Sequence, residues 1–308
     1  MCGYDRAVPE GAPPAAALHS AAAMPEPDSL SVWTIEPRSG GAAARLREVW
    51  RYRRLLRFFA SRAVTKLYQN TILGKSWLLL RPLVPLFVRT IVFGGLLNVG
   101  SNNIPYFLFL VIGTACWDLF AGSLTWATRS LEQNRGLIGK VYVPRVILPV
   151  AMTAPAFITL FIHLGVAACA AGYFYLTHGT PYVVLSPQLL WAVGGLLLAV
   201  TLALGIGFFT SVLATIGRDV RFTLAFVLDF WYFLTPVLYP VSAVPAEYRW
   251  VLYLNPMAAA VEMFKFGLLG VGHVEPALAA SATGVTLAVL GAGLWYFTRA
   301  ESDAVDRV

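Results

Sequence analysis

Charged side chains are scarce in this chain. Asp, Glu, Lys and Arg make up 13% of its 308 residues and hydrophobic types 58%, against about 25% and about 45–50% in a soluble globular domain. That shortage excludes an ordinary two-domain soluble enzyme. Cysteine and histidine are also few. Cys2, Cys116 and Cys169 fall at the N-terminus and inside apolar runs, and His19, His163, His178 and His273 are scattered, so neither a disulfide framework nor a metal site is expected. A complete phosphate-binding loop is missing as well. Gly74-Lys75-Ser76 matches the end of one, but the first glycine belongs at position 69, which is Gln69, and no strand leads into it. The chain is therefore not expected to bind ATP or another cofactor itself.

What the chain has in abundance is long apolar segments. A spanning helix takes about 20 mostly apolar residues, and six runs approach or exceed that length when tilt is allowed: Ser76 to Leu97, Pro105 to Thr128, Pro149 to Leu176, Leu189 to Thr215, Thr223 to Tyr239, and Pro276 to Thr298. The expected fold is an all-α polytopic membrane protein with six transmembrane helices. The fifth run is the shortest, and Pro236 and Pro240 break it, so a discontinuous span is expected there. Between the fifth and sixth runs, Trp250 to Leu254 and Met257 to Leu269 are too apolar for a solvated loop and too short to cross. They read as a re-entrant helical hairpin.

Positive charge sets the orientation, because loops rich in Lys and Arg stay in the cytoplasm. Arg45, Arg47, Arg51, Arg53, Arg54, Arg57, Arg62, Lys66, Lys75 and Arg81 precede or open the first run. Arg129, Arg135, Lys140 and Arg145 follow the second, Arg218 and Arg221 follow the fourth, and Arg299 and Arg307 follow the sixth. Residues Asn98 to Ile104 and Thr177 to Gln188 carry no Lys or Arg. Both termini are expected in the cytoplasm. The net charge of +7 follows from this topology, and nucleic acid is not needed to explain it.

The sequence divides into four parts. Residues 1–44 are rich in Ala, Pro and Gly and read as a disordered cytoplasmic tail; their apolar content is too weak for a signal peptide, so no cleavage is expected. Residues 45–75 hold an amphipathic helix in which Val49, Tyr52, Leu56, Phe59, Ala63 and Leu67 share one face and Arg47, Arg51, Arg54 and Arg62 lie opposite. This pattern suits the membrane interface, with arginines at lipid phosphates. Residues 76–298 form the transmembrane domain, and 299–308 a cytoplasmic tail.

Three ionisable residues fall inside the runs: Arg89, Asp118 and Asp229. Charges in lipid are costly and face protein or water. Asp118 and Asp229 fit a proton or ion relay; the preferred reading is that Arg89 pairs with an aspartate and locks two helices, with Asp229 reaching cytoplasmic water. Aromatics crowd the second and fifth runs. Trp117, Phe120, Phe226, Phe230, Phe233 and Tyr239 are candidates to line a passage along which sugar rings slide, or else to pack against lipid and core.

In order and topology these pieces resemble the membrane subunit of type-2 ABC exporters, specifically the permeases for O-antigen, capsule or teichoic-acid polymers. The resemblance spans roughly Ile35 to Glu301. It is carried by Ile35-Glu36-Pro37, Val49-Trp50-Arg51-Tyr52-Arg53, Thr71-Ile72-Leu73-Gly74, Trp77, Arg81-Pro82, Ser130-Leu131, Asn134, Lys140-Val141-Tyr142-Val143-Pro144-Arg145, Arg218-Asp219, Thr235-Pro236-Val237, and Asn255-Pro256 followed by Glu262. It implies a homodimeric permease of a bacterial cytoplasmic membrane, served by two copies of a P-loop ABC ATPase that holds the ATP and Mg. It implies a polyprenyl-linked polysaccharide as substrate and no bond chemistry in this chain. Leu131, Glu132, Arg135, Lys140, Tyr142 and Arg145 then belong to the element that docks on the ATPase, and Arg47, Arg51, Arg54 and Arg62 to a gate near the substrate headgroup. A permease for a small amphipathic molecule, and a stand-alone proton-coupled carrier or membrane enzyme using Asp118 and Asp229, remain open alternatives.

Overall fold

The computed structural model describes residues 51–67, 69, 72, 74–138, 144–183, 186–272 and 274–306. The tail expected over 1–44, together with Arg47, Lys140 and Tyr142, lies outside the described residues. Among the described residues the chain is all helical, with no strand. The amphipathic segment forms α1 (Arg53–Thr65), which buries Phe59 and Ala63 and leaves Arg54, Arg57 and Arg62 exposed. The next helix, α2 (Trp77–Arg89), contains Pro82 and Pro85. Neither proline can donate to the preceding turn, and the helix widens into a π-helical stretch over Thr90–Leu96.

The interior is built around α3 (Tyr106–Thr128) and α8 (Leu189–Ile216). Between them in sequence come α4 (Ser130–Gln133), α5 (Arg135–Ile138), α6 (Ile147–Ala151) and α7 (Ala154–His178). After α8 follow α9 (Asp219–Leu234), α10 (Arg249–Leu254), α11 (Pro256–Leu269) and α12 (Pro276–Asp306). α8 packs against α3, α11 and α12, α3 packs also against α7, and α1 lies on α6 and α7. Glycines let these helices touch backbone to backbone. A Cβ on Gly195 would meet Ala260 O at 2.5 Å, and one on Gly267 would meet Ala192 N at 2.4 Å. Gly179 and Gly270, at φ +70° and +65°, end α7 and α11 in the left-handed conformation that lacks a Cβ penalty.

Among the described residues, five segments are long and apolar enough to cross a membrane: Gly74–Leu96, Tyr106–Thr128, Ile147–His178, Leu189–Ile216 and Pro276–Ala300. They coincide with five of the six expected spans. The fifth run differs, for α9 is a helix of 16 residues that stops at Leu234, ahead of Thr235-Pro236, because the residue before a proline is pushed out of the helical region. The sixth expected span also runs further than its boundary at Thr298. With no helix breaker after Arg299, α12 continues to Asp306.

The break after α9 is held by side chains rather than left open. Asn255 caps α11 by accepting from Met257 N at 3.0 Å, while its Oδ1 accepts from Trp231 Nε1 at 2.8 Å and its Nδ2 donates to Thr235 Oγ1 at 3.0 Å. Lys265, on α11 and 1% exposed, donates from Nζ to Pro236 O at 2.6 Å and to Val237 O at 3.2 Å, and lies 3.6 Å from the ring centroid of Phe109 on α3. Two motifs far apart in sequence, Thr235-Pro236-Val237 and Asn255-Pro256, are thus one joint.

Candidate functional site

Two regions gather the expected residues. The first is the turn after α3. Ser130 and Leu131 are buried, and Leu131 packs in a cluster with Phe59, Leu148, Phe208 and Phe297. Asn134 turns inward and donates to Ser130 O at 2.8 Å, fixing the kink between α4 and α5. Glu132 forms an ion pair with Arg221 of α9 at 2.9 Å. Arg135 is exposed and Arg145 half-buried. Of the residues expected to face an ATPase, Leu131 therefore anchors the turn to the core and Glu132 ties it to α9, which leaves Arg135 as the outward cation of α5. Arg51, Arg54 and Arg62 are exposed as expected for a basic face. Lys66, in the turn after α1, has its pKa lowered by partial burial and secondarily by the neighbouring Arg62 charge.

The second region is a pair of clefts that meet at Asp118. One, of about 600 Å³, is lined by Trp77, Arg81, Asp118, Thr125, Trp126 and Thr159 among others. The other, of about 570 Å³, is lined by Arg89, Trp117, Asp118, Asp229, Tyr232 and Phe233 among others. The three intramembrane charges thus converge on one place. Arg89 sets its guanidinium over the Tyr232 ring at 4.4 Å. The group facing the Asp118 carboxylate at ion-pair range is His163 of α7, with Nε2 to Oδ2 at 3.6 Å. The expectation that Arg89 itself locks onto an aspartate is replaced by this arrangement, because α7 packs on α3 and brings His163 to Asp118 first.

The aromatics divide in two. Trp117 and Phe120 stand against Trp231 at 6.4 and 5.1 Å between centroids, and Trp117 against Tyr232 at 5.5 Å, all edge to face. They join α3 to α9. Phe120 is enclosed, and Trp117 reaches only the wall of the second cleft. Phe226, Phe230 and Phe233 are exposed along α9, with Phe226 and Phe230 in contact at 4.7 Å. Tyr239 folds back and donates to Phe233 O at 3.1 Å.

Sequence reasoning missed His163, Lys265 and the Glu132–Arg221 pair. Position inside an apolar run marks His163 and Lys265 as unusual, but their partners sit on other helices and leave no local pattern.

Comparison with known proteins matches this arrangement to a family. The profile described as ABC-2 type transporter matches residues 54–269, from α1 to the end of α11. The O-antigen export system permease protein RfbA of Myxococcus xanthus is 27% identical over 246 residues, covering 79% of this chain and 91% of that protein. A Klebsiella pneumoniae protein of the same name is 24% identical, covering 74% of this chain and 85% of its own length. The polysialic acid transport protein KpsM of Escherichia coli is 24% identical, covering 75% and 87%. With the matched residues forming the helices that enclose both clefts, the chain belongs to the ABC-2 type transporter family.

Proposed function

We propose that this chain is the permease subunit of an ATP-driven exporter that moves a lipid-linked polysaccharide across a bacterial cytoplasmic membrane. The observation that carries the reading is an unfinished wall. In the segment Gly74–Leu96, Leu86 is buried and the other side chains are exposed or half-buried, and α9 presents Phe222, Phe226, Phe230 and Phe233 outward beside it. The second cleft runs between these two elements. A second copy closing against α2 and α9 would turn the cleft into a passage walled by aromatic rings, with Arg89, Asp118 and Asp229 available to sugar hydroxyls. The relatives named for O-antigen export and polysialic acid transport both handle polymers, which favours a polysaccharide over a small amphipathic molecule.

In this reading α9 is the fifth of six spans, α10 and α11 form a re-entrant hairpin on the outer side, α1 lies at the cytoplasmic interface as a gate, and both termini are cytoplasmic. The parts would be a gate region over 45–75, a transmembrane domain over 76–298 and cytoplasmic ends. Two copies of a P-loop ATPase bind ATP and Mg and dock on the turn around Leu131 to Arg145. ATPase closure pushes that turn, and the Glu132–Arg221 pair passes the displacement to α9.

Mild-detergent purification from native membranes tests the reading. We expect a P-loop ATPase to co-elute in equal amount with about two copies of each chain, and loss of this chain to strip the polymer from the cell surface. A lone, ATP-insensitive oligomer would overturn it. Within the complex, Lys140→Glu with Arg145→Glu is expected to abolish export while the chain still inserts; normal export with the ATPase bound would remove that loop from the mechanism. Charge reversal at Glu132→Arg or Arg221→Glu is expected to lower export about fivefold, equivalent to about 1 kcal/mol of coupling. The double exchange should recover most of it, as measured by surface polymer per permease.

A further inference from the structure

His163 is completely buried, and its two ring nitrogens have different fates. Nδ1 lies 3.0 Å from Thr159 O. A carbonyl oxygen only accepts, so Nδ1 carries the hydrogen of the neutral ring and Nε2 is left as an acceptor. Nε2 has no hydrogen-bond partner and points at Asp118 Oδ2, 3.6 Å away. If Asp118 were ionised and His163 neutral, a bare nitrogen and a carboxylate oxygen would face each other with no hydrogen between them. One further proton removes that conflict. It can reside on Nε2, giving imidazolium beside carboxylate, or on Oδ2, giving imidazole beside carboxylic acid. Both forms contain the same atoms and are neutral as a pair.

We propose that Asp118 and His163 form a one-proton site between α3 and α7, and that this proton sets the net charge the pair presents to the two clefts. His163 is shut away from solvent, while the Asp118 side chain is 31% exposed and lines both clefts. The carboxylate is thus the accessible end of the site and the imidazole its buried reserve. The charged and titratable groups facing the pair are Arg89 from α2 and Tyr232 from α9, which lie together. Arg81 borders the first cleft and Asp229 the second. With the proton bound, Arg89 balances Asp229 and the second cleft is neutral. Without it, one negative charge appears where the clefts join, and an anionic solute there is repelled.

Solid-state NMR of the full chain in lipid bilayers with isotope-labelled histidine tests the site, because the sequence has only four histidines and His163→Gln assigns the signal. We expect either both nitrogens of His163 protonated or, in the infrared spectrum, a carboxylic acid band that disappears in Asp118→Asn. In Asp118→Asn the new amide donates to Nε2 and the imidazole becomes neutral. A bare Nε2 with no carboxylic acid band in the wild-type chain overturns the proposal. Should Asp118→Asn not insert, the infrared reading of His163→Gln and of Asp118→Glu decides the same point. In cells, His163→Gln is expected to change the pH profile of export; an unchanged profile would refute the link between the proton and the clefts.

Discussion

Gly293→Leu is expected to prevent the helix bundle from assembling. Gly293 on α12 faces Gly205 on α8 so closely that a Cβ would lie 2.0 Å from Gly205 O, and a Cβ on Gly205 would lie 2.8 Å from Leu290 N. The obstacle is backbone, so no rotamer change relieves it, and the two helices must separate along their whole contact. Overpacking with side chains that can still yield costs about 1–3 kcal/mol; here about 3 kcal/mol or more is expected. Gly291 supplies the control on the same helix, since a Cβ there meets nothing within 4 Å. Gly291→Leu should leave the thermal midpoint in detergent and the yield of monodisperse protein unchanged, whereas Gly293→Leu should lose both. Equal yields from the two variants would mean that α8 and α12 do not pack as described.

Lys265→Met is expected to cost nearly as much, for an electrostatic reason. Its ammonium supplies the donors for the carbonyls of Pro236 and Val237, and Glu262, one turn earlier on the same helix, is also buried. Removing the cation strands two carbonyl acceptors and takes a compensating charge away from Glu262, and each buried acceptor left unsatisfied costs about 1–3 kcal/mol. Adding Glu262→Gln to Lys265→Met should recover part of the loss, since the stranded acid is gone. Gly113→Ala should act in the same direction but more weakly. Its Cβ would sit 2.8 Å from Lys265 Cε and 3.0 Å from Val237 O, pushing the ammonium off its carbonyls. Thermal unfolding in one detergent ranks the four proteins, and labelling of a cysteine placed at Val237 reports whether the end of α9 has come loose. An unchanged midpoint for Lys265→Met would show that the carbonyls find water instead.

The spans were legible wherever one helix carries its own evidence. An apolar run of some twenty residues declares itself without knowledge of its neighbours, as Leu189 to Ile216 does. Pro236 marked the end of α9 for the same local reason. The basic face of α1 was legible because Arg54 and Arg62 recur at helical spacing opposite Phe59 and Ala63. Partnership was not. Asp118 could be flagged as costly in lipid, but nothing near it in sequence announces His163, which arrives from the next long helix. Lys265 lies in a mostly apolar stretch, and only folding reveals that its ammonium holds the carbonyls of Pro236 and Val237 just past the end of α9. Leu131 shows the reverse case, where a residue inside a motif expected to face a partner is spent on anchoring the motif.

The brevity of α9 bears on the lipid as well as on the protein. Sixteen residues at about 1.5 Å each give a helix of about 24 Å, while the hydrocarbon layer is about 30 Å thick. In the proposed exporter, where α9 is the fifth span, that shortfall of several ångströms would oblige the acyl chains beside it to compress or would admit water at its end. The aromatic row Phe222, Phe226, Phe230 and Phe233 lies along this short helix, so in the proposed dimer water admitted at its end would meet the wall that a polar solute follows. On the proposed function, local membrane thickness becomes a determinant of permeation, and host bilayers of different chain length should rank the rate of export with no residue changed.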